Sequence, residues 1–379
     1  MQIQFNYRYI SDEVTFESHQ YNFSRCIKQK IAYQIKDIGE VVHFAEMMQK
    51  SGYYVALYLP YEAATYFNPN METVSINHVN VYAAAYAFVE FDNPENTLKQ
   101  AYVQQCDFTF CLNHQTMIEH IKFVQKAIIE GNTYQVNYTT RLTDKIRLPI
   151  ATLYNELQQG KNGFYSALID TDEIEVASIS PELFFQRGPF KGEQDIILSK
   201  PMKGTIARGE TEDEDKKNLE TLKHSAKDKA ENVMIVDLLR NDIGRIAETG
   251  TVHVYQLFNI EQYLTVYQMT TMVTGRVSHT KSLLEILKAL FPCGSITGAP
   301  KLNTMKYIKA LEQVPRYIYC GTIGLLLPNG KSIFNVPIRT IQYINNQAVY
   351  GVGAGITIDS DPELEINEFK DKTQILERL

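Results

Sequence analysis

The stretch that decides the fold lies toward the C-terminal end and reads YCGTIGLLLPNGKSIFNVPIRTIQYINNQAVYGVGAGITI, from Tyr319 to Ile358. It contains three β-type runs, which are Tyr319–Leu327, Ile333–Ile341 and Ala348–Ile358. PNGK joins the first two runs and NNQ joins the last two, and connections this short join antiparallel neighbours. The stretch therefore predicts an antiparallel sheet and not the parallel sheet of a regular βαβ array.

Helical and strand patterns occur in clusters in the rest of the chain. Helical spacing predicts helices from Gln115 to a stop at Gly131, over Ser225–Arg240 and over about Glu363–Leu376. Strand patterns lie at Tyr53–Tyr58, Val79–Phe88, Tyr134–Leu142, Ile179–Gln186 and Ile196–Leu198. Together they predict an α+β fold. The polar stretch Glu90–Gln104 predicts a boundary, which divides the chain into an N-terminal region, 1–105, and a main domain, 106–379.

The composition excludes several classes of protein. The chain has 379 residues and a formal net charge of −7, which argues against binding to bulk nucleic acid or to an anionic membrane. Its five cysteines form no CxxC pair, so neither a disulfide framework nor a zinc ribbon is predicted. We find no secretory signal pattern and no apolar run of membrane-spanning length, and we therefore expect a cytoplasmic protein without a membrane partner.

Two pairs of acidic residues are candidate metal ligands. Asp228 and Glu231 are three residues apart on a predicted helix, and so are Glu365 and Glu368, so each pair shares a helix face. Four carboxylates that converge repel one another unless a cation lies between them, and Mg²⁺ prefers oxygen ligands of this kind. The alternative is that these acids stabilise helix first turns through the helix dipole.

Three other features are candidate binding elements. The glycine-rich segment Pro292–Met305, PCGSITGAPKLNTM, leads into a helix whose first N–H groups could bind an anion, and a structural turn is the alternative. Arg339 is expected within a strand, where a guanidinium needs an anionic partner from the protein or from a ligand. Gly351, Gly353 and Gly355 allow something to approach a strand closely, unless they mark a bulge.

The segment SKPMKGTIARG, Ser199–Gly209, places Lys203 between an apolar Pro-Met pair and a Gly-Thr step. By itself, such a lysine is typical of a solvated loop. Cysteine catalysis is not indicated, because no GxCxG elbow is present and Cys293 and Cys320 are interpreted as small core residues. The function of Lys203 therefore depends on the other segments.

Taken together, the segments resemble the chorismate-utilising enzymes. The resemblance runs from about Gln115 to the C-terminal end and rests on five ordered blocks, SPELFF, PMKGT, AENVMIVDLLRNDIGR, GSITGAPK and GAGITIDSDPELE. It implies two stacked antiparallel β-sheets flanked by helices and a Mg²⁺-dependent reaction of chorismate. By position, it implies that Glu231 and Glu368 are metal ligands, supported by Asp228 and Glu365. It implies that Tyr319 and Arg339 bind a substrate carboxylate and that Gly353 and Gly355 supply backbone contacts. It also implies that Ser295, Gly204 and Thr205 line the substrate ring.

Two positions select among the reactions of this family. Members that form aminodeoxychorismate typically have lysine where this chain has Lys203, whereas anthranilate and isochorismate synthases have alanine. The resemblance implies that Lys203 attacks C2 as a neutral amine while Glu182 protonates the departing C4 hydroxyl, and that ammonia then enters at C4. Isochorismate-forming members have a lysine base at the position of Gln135, and glutamine is a poor base.

The resemblance therefore favours component I of an aminodeoxychorismate synthase, in the folate branch. Anthranilate synthase component I is the first alternative, isochorismate or salicylate synthase the second, and a non-catalytic aromatic-acid-binding protein a third. We expect a separate glutamine amidotransferase subunit as the ammonia source and a separate aminodeoxychorismate lyase downstream, because the segments leave no room for either. Gln268 stands where many members have a histidine, which implies a larger share of the acid catalysis for Glu182.

Overall fold

The structure is a computed structural model that describes residues 1–77, 80–92, 106–159, 163–263 and 266–379. Two antiparallel sheets lie face to face, and helices cover their outer faces, which confirms the predicted α+β fold. Side chains of both sheets share one apolar core, with Phe5 and Tyr7 from the first sheet and Ile323 and Ile333 from the second. The Tyr7 hydroxyl donates to the Ile323 carbonyl across this core, at 2.9 Å.

The first sheet has nine strands among the described residues. In sheet order they are β15 (Gly298–Ala299), β7 (Gln135–Asp144), β19 (Gln347–Ile356), β18 (Thr340–Ile344), β9 (Glu175–Ser180), β8 (Tyr165–Asp170), β1 (Gln2–Ile10) and β2 (Phe16–Phe23), with β6 (Thr109–Phe110) also on β7.

The second sheet has ten strands in the same described ranges. In sheet order they are β12 (Met202–Ala207), β14 (Val266–Arg276), β11 (Glu193–Lys200), β10 (Leu183–Phe190), β17 (Ser332–Asn335), β16 (Thr322–Leu326), β4 (Tyr54–Leu59), β5 (Ala83–Phe88) and β3 (Lys28–Ala32), with β13 (His253–Gln262) also on β14.

The helices form two outer layers. They are α1 (Ile38–Lys50), α2 (Ala64–Phe67), α3 (His114–Ile129), α4 (Ile150–Gln158), α5 (Glu212–His224), α6 (Ala226–Gly244), α7 (Leu283–Leu290), α8 (Lys301–Glu312) and α9 (Pro362–Thr373). Helices α3, α4, α8 and α9 cover the first sheet, and α1, α6 and α7 cover the second. The predicted helices correspond to α3, α6 and α9, and each begins at a capping side chain, Asn113, Ser225 or Asp361.

The prediction of Ile179–Gln186 as one strand is wrong. Strand β9 ends at Ser180 in the first sheet, and β10 begins at Leu183 in the second, so the chain crosses between the sheets at Pro181 and Glu182. The apolar spacing of the sequence hides the crossover because both strands are buried on both faces. Ile179 packs against the helices outside the first sheet, whereas Leu183 lies in the core between the sheets. Glu182 thus lies where the chain leaves the hydrogen-bonding pattern of either sheet.

The prediction of Ile333–Ile341 as one strand is wrong for the same reason. Strand β17 belongs to the second sheet and β18 to the first, and the crossover lies at 336–339. The two crossovers are neighbours, since the Val336 N–H donates to the Glu182 carbonyl at 3.1 Å and the Ile179 N–H donates to the Arg339 carbonyl at 3.0 Å. The predicted antiparallel pairs across the two short turns are nevertheless present, as β16–β17 and β18–β19.

The N-terminal region contributes strands to both sheets, with β1 beside β8 and β4 beside β16. The start of the predicted strand Val79–Phe88 and most of the boundary Glu90–Gln104 lie outside the described residues, so the division at residue 105 stays a prediction. In the described parts of the chain, we find no helix with the length and apolarity needed to cross a bilayer.

Candidate active site

Lys203 lies at an irregular point of the second sheet. Strand β12 pairs with β14 through Met202 opposite Thr270 and Thr205 opposite Gln268, so two residues of β12 face one residue of β14. This is a β-bulge, which re-aims side chains, and Gly204 within it has a φ of 89°, a value that glycine tolerates best. Lys203 is therefore a strand residue directed by a bulge and not a solvated loop lysine.

The Lys203 side chain reaches the first sheet. A Cβ built on Gly355 of β19 would lie 3.4 Å from the Lys203 Nζ and 1.8 Å from the Gln135 Nε2 on β7. Any larger residue at position 355 would displace the Gln135 amide, so this glycine makes room for both side chains. The Gln135 Oε1 is buried and accepts no hydrogen bond from any described residue. An unpaired buried acceptor beside an amine indicates a place where a polar group binds.

The two residues of the PMKGT block that follow Lys203, Gly204 and Thr205, lie nearer the surface than the buried Pro-Met pair before it. A Cβ on Gly204 would approach the Asp228 Cβ to 2.9 Å, so this glycine brings β12 against the first turn of α6. The Thr205 side chain is exposed. At Gly353, a Cβ would lie 2.5 Å from the Tyr138 carbonyl, and its own carbonyl accepts from the Lys372 Nζ at 2.7 Å. Ring and backbone contacts of these residues with a substrate stay predictions.

Glu182 is a buried carboxyl whose surroundings suit proton transfer. It is 4% exposed, and burial raises its pKa to about 7 although Ser295 and the Lys203 charge act in the opposite direction. The Ser295 hydroxyl donates to the Glu182 Oε1 at 2.6 Å. An acid with a pKa near neutrality holds and releases a proton at working pH. Ser295, predicted to line the ring, is bonded to this acid.

Arg339 lies in the second crossover, with a φ of 51°, and its predicted position within a strand is wrong. Its guanidinium is largely buried, which lowers its pKa, and no described residue forms an ion pair or hydrogen bond with it. Tyr319 lies in the turn before β16, and its ring fills the space that a side chain at Gly351 would need. Tyr350 adjoins both Arg339 and Tyr319. A buried, unpaired guanidinium fits the predicted carboxylate-binding role.

The two acidic pairs come together at the edge of this site. Burial raises the pKa of Glu231, and the charges of Asp228 and Glu365 raise it further. Burial and the charge of Glu368 likewise raise the pKa of Glu365. The positive charge of Lys203 acts to lower the pKa of Glu231 and that of Glu368. The acids of α6 and α9 therefore lie in one region with the lysine, and their role as metal ligands stays a prediction.

The acids are not already arranged as a metal cage, since no three His, Cys, Asp or Glu side chains of the described ranges are placed to hold one ion. Lysines accompany them instead: the Lys372 Nζ lies 2.6 Å from the Glu368 Oε1, and the Lys227 Nζ lies 4.0 Å from the Glu365 Oε1. Burial alone would raise the pKa of Glu368, but Lys372 lowers it. Carboxylate oxygens are the donors that a hard divalent cation prefers, so the four acids stay the predicted ligands.

The glycine-rich segment has a structural role, and its binding of an anion stays a prediction. Gly298 and Ala299 form β15 beside Val136 and Gln135. Lys301, the first residue of α8, is buried and donates to the Asp242 Oδ2 at 2.6 Å, so its charge is already neutralised within the protein. The segment thus holds Ser295 beside Glu182.

Sequence reasoning missed Lys372 and the positions of the two crossovers. Lys372 lies one helical turn after Glu368, at the i+4 spacing of an ion pair, which was a usable signal. Each crossover contains a proline, Pro181 or Pro337, and proline within a strand pattern signals a break.

The chain is similar to known proteins over most of its length. A family profile described as chorismate binding enzyme matches residues 75–378. The aminodeoxychorismate synthase component 1 of Escherichia coli (strain K12) is 34% identical over 326 residues, which are 84% of this chain and 69% of that protein. The probable aminodeoxychorismate synthase, chloroplastic, of Oryza sativa subsp. japonica is 39% identical over 256 residues, which are 66% of this chain and 28% of that protein. The chain thus spans less than a third of the latter's length.

A solved structure shares the fold. The anthranilate synthase component I from Streptococcus pneumoniae TIGR4 superposes with a TM-score of 0.77 at 20% sequence identity. The match covers 99% of this chain and 90% of that chain. It agrees with the two stacked sheets described above.

Proposed function

The chain belongs to the chorismate binding enzyme family, and we propose that it acts as component I of an aminodeoxychorismate synthase, which converts chorismate and ammonia to 4-amino-4-deoxychorismate. The observation that carries this proposal is the position of Lys203. A bulge and a glycine direct its amine toward Gly355 and the unpaired Gln135 amide. The positive charge of Lys203 also acts to lower the pKa of Glu182. A nucleophile and an acid therefore face the same region.

The proposed reaction has two displacement steps. Lys203 first loses a proton to solvent. Glu182 then gives a proton to the C4 hydroxyl, the C4–O bond breaks and water leaves, while the neutral Lys203 amine forms a bond to C2 and the ring double bond shifts. Ammonia then forms a bond to C4, the double bond shifts back, and the C2–N bond breaks with its electron pair returning to Lys203. The proton lost by ammonia restores Glu182.

The remaining residues bind and orient the substrate in this proposal. Arg339 and Tyr319 hold one substrate carboxylate, since the guanidinium is only partly exposed and has no ionic partner among the described residues. Glu231 and Glu368, with Asp228 and Glu365, would hold Mg²⁺, which supplies positive charge for a second carboxylate when bound. Ammonia comes from a separate glutamine amidotransferase, and a separate lyase acts on the product.

Mass spectrometry of the product tests the proposal. The purified chain is incubated with chorismate, Mg²⁺ and an ammonium salt, and we expect aminodeoxychorismate without release of pyruvate. Lys126→Ala is a matched control for Lys203→Ala, because this lysine is exposed on α3 and its Nζ lies 3.9 Å from the Glu130 Oε1. Anthranilate with pyruvate, isochorismate or salicylate as the product would contradict the proposal. Binding of chorismate without turnover would point to the non-catalytic alternative.

A further inference from the structure

Cys293 adjoins the proposed acid through one intervening hydroxyl. Its Sγ lies 3.2 Å from the Ser295 Oγ, and the Ser295 Oγ lies 2.6 Å from the Glu182 Oε1. All three side chains are at most 5% exposed. No described residue forms a hydrogen bond with the Glu182 Oε2. The contacts therefore form a linear chain that ends on one oxygen of the carboxyl and leaves the other available.

The donor and the acceptor of each hydrogen bond in this series follow from the number of protons available. A serine hydroxyl has one proton to donate and two lone pairs to accept with. Because the Ser295 proton is directed to Glu182, the Cys293 thiol must be the donor to the Ser295 oxygen. Burial, with the Glu182 charge beside it, raises the pKa of Cys293 to about 12, so the thiol keeps its proton at neutral pH.

We propose that Cys293 and Ser295 are positioning residues that fix the Glu182 carboxyl, with Cys293 donating to Ser295, Ser295 donating to the Glu182 Oε1, and the Oε2 left to carry the proton to the leaving hydroxyl. This inference rests on the proposed function of Glu182. We call this series of hydrogen bonds, from Cys293 through Ser295 to Glu182, the relay. The relay is held rigidly, since the Cys293 carbonyl accepts from the Thr297 hydroxyl at 3.1 Å and Leu238 fills the space beside Gly294.

Other charges reach Glu182 from the surrounding elements. Lys203 on β12 and Lys372 on α9 lower its pKa, and Cys320, before β16, also adjoins it. These groups are unchanged when the relay is altered, so variants of Cys293 and Ser295 isolate its effect. A donated hydrogen bond stabilises the carboxylate, and its loss must raise the pKa of Glu182 further.

The test follows kcat against pH with free ammonia held constant. Because the acid works in its protonated form, we expect the alkaline limb to move upward by about one pH unit in Ser295→Ala. Cys293→Ala should move it in the same direction by less, and Cys293→Ser should restore the wild-type limb, since a hydroxyl can donate in place of the thiol. Cys111→Ala is the control, because this cysteine is exposed. Thermal denaturation verifies that each variant is folded.

An infrared titration of the protonated carboxyl band, assigned with Glu182→Gln, gives the same pKa without turnover. If the wild type does not consume chorismate, the proposed function fails, and the infrared titration still decides the relay. Coinciding Glu182 titrations in the wild type and in Cys293→Ala would overturn the relay, whatever the activity. The relay would also be overturned if the pKa of Glu182 shifted in Cys293→Ala and did not return to the wild-type value in Cys293→Ser.

Discussion

The Lys372 ammonium lies between two groups of the site, 2.6 Å from the Glu368 Oε1 and 2.7 Å from the Gly353 carbonyl oxygen. It thereby joins helix α9, which carries the second acidic pair, to strand β19, which carries the glycines. A cation that binds to Glu368 must compete with this ion pair. Lys372 therefore opposes metal binding electrostatically while it holds the acid in place.

Substitutions on the two sides of this ion pair should change Mg²⁺ affinity in opposite directions. Glu368→Gln removes a proposed ligand, and Glu231→Gln removes its counterpart on α6, so we expect each to weaken Mg²⁺ binding at least about tenfold. Lys372→Met keeps the length of the side chain and removes a competing positive charge, so binding should strengthen about fivefold. Isothermal titration with MgCl₂ measures all three.

The matched control is Glu363→Gln. Glu363 is an exposed acid in the first turn of α9, and its Oε2 lies 3.0 Å from the His114 Nε2. The substitution should leave Mg²⁺ affinity unchanged. Full activity of the wild type in excess EDTA would refute the metal site and return the four acids to a role at the helix termini.

Lys203→Ala should remove the covalent route. We expect activity to fall, or the product to shift toward amination at C2, because ammonia can then reach the carbon that Lys203 otherwise occupies. Peptide mapping after incubation with a chorismate analogue should find an adduct on the wild-type residue and none on the variant. An unchanged rate and product would leave Lys203 with a charge or packing role only.

Local signals in the sequence predicted the turns and helices better than they predicted the extent of the strands. Short turns, helix caps and the ordered blocks are local signals, so the β16–β17 and β18–β19 pairs and helices α3, α6 and α9 are confirmed. A crossover between stacked sheets is hidden in the apolar pattern because each strand is buried on both faces. Ile179 and Ile341 pack outside the first sheet, whereas Leu183 and Ile333 lie between the sheets. The apolar pattern of each predicted strand therefore could not show that Glu182 and Arg339 lie where the chain passes from one sheet to the other.

Contacts between distant segments could not be predicted for a similar reason. The i, i+3 spacing placed Asp228 and Glu231 on one helix face, but only the fold brings Glu231 near Glu365. Cys293 looked like a core residue because its burial was predictable and its contact with Ser295 was not. Burial follows from composition and pattern, whereas a hydrogen-bond partner depends on tertiary structure.

The buried ion pair at the start of α8 should be important for stability. Lys301 and Asp242 are at most 8% exposed, and the next cation near Asp242 is Arg245, at 3.9 Å. Lys301→Met leaves a buried carboxylate nearly uncompensated, and we expect a loss of about 3–5 kcal/mol in the free energy of unfolding, measured in urea. Adding Asp242→Val should recover most of this loss. Lys309→Met, on the exposed face of the same helix, should cost less than about 1 kcal/mol.

Equal losses in Lys301→Met and in the double variant would show that packing, and not charge, makes the position sensitive. In that case, the segment GSITGAPK would still hold Ser295 against Glu182, but without the contribution of the ion pair.

The last prediction concerns the source of nitrogen. Release of ammonia from glutamine by a thiol needs an activated cysteine with a base beside it. Burial raises the pKa of Cys106 to about 11 and those of Cys293 and Cys320 to about 12. The Sγ of exposed Cys111 lies 3.7 Å from the Thr143 hydroxyl, and no cysteine forms a hydrogen bond with a histidine in the ranges that the structure describes. We therefore expect this chain to use ammonium salts and not glutamine.

Chorismate consumption with each nitrogen source, supplied alone to the purified chain, measures this directly. Adding a separate glutamine amidotransferase should restore the use of glutamine, and an electrophilic glutamine analogue should label the added subunit but not this chain. Turnover by the purified chain with glutamine as the sole nitrogen source would refute the division of labour. Release of pyruvate in the same assay would instead indicate chemistry of the anthranilate or salicylate type, and the role assigned to Lys203 would have to be withdrawn.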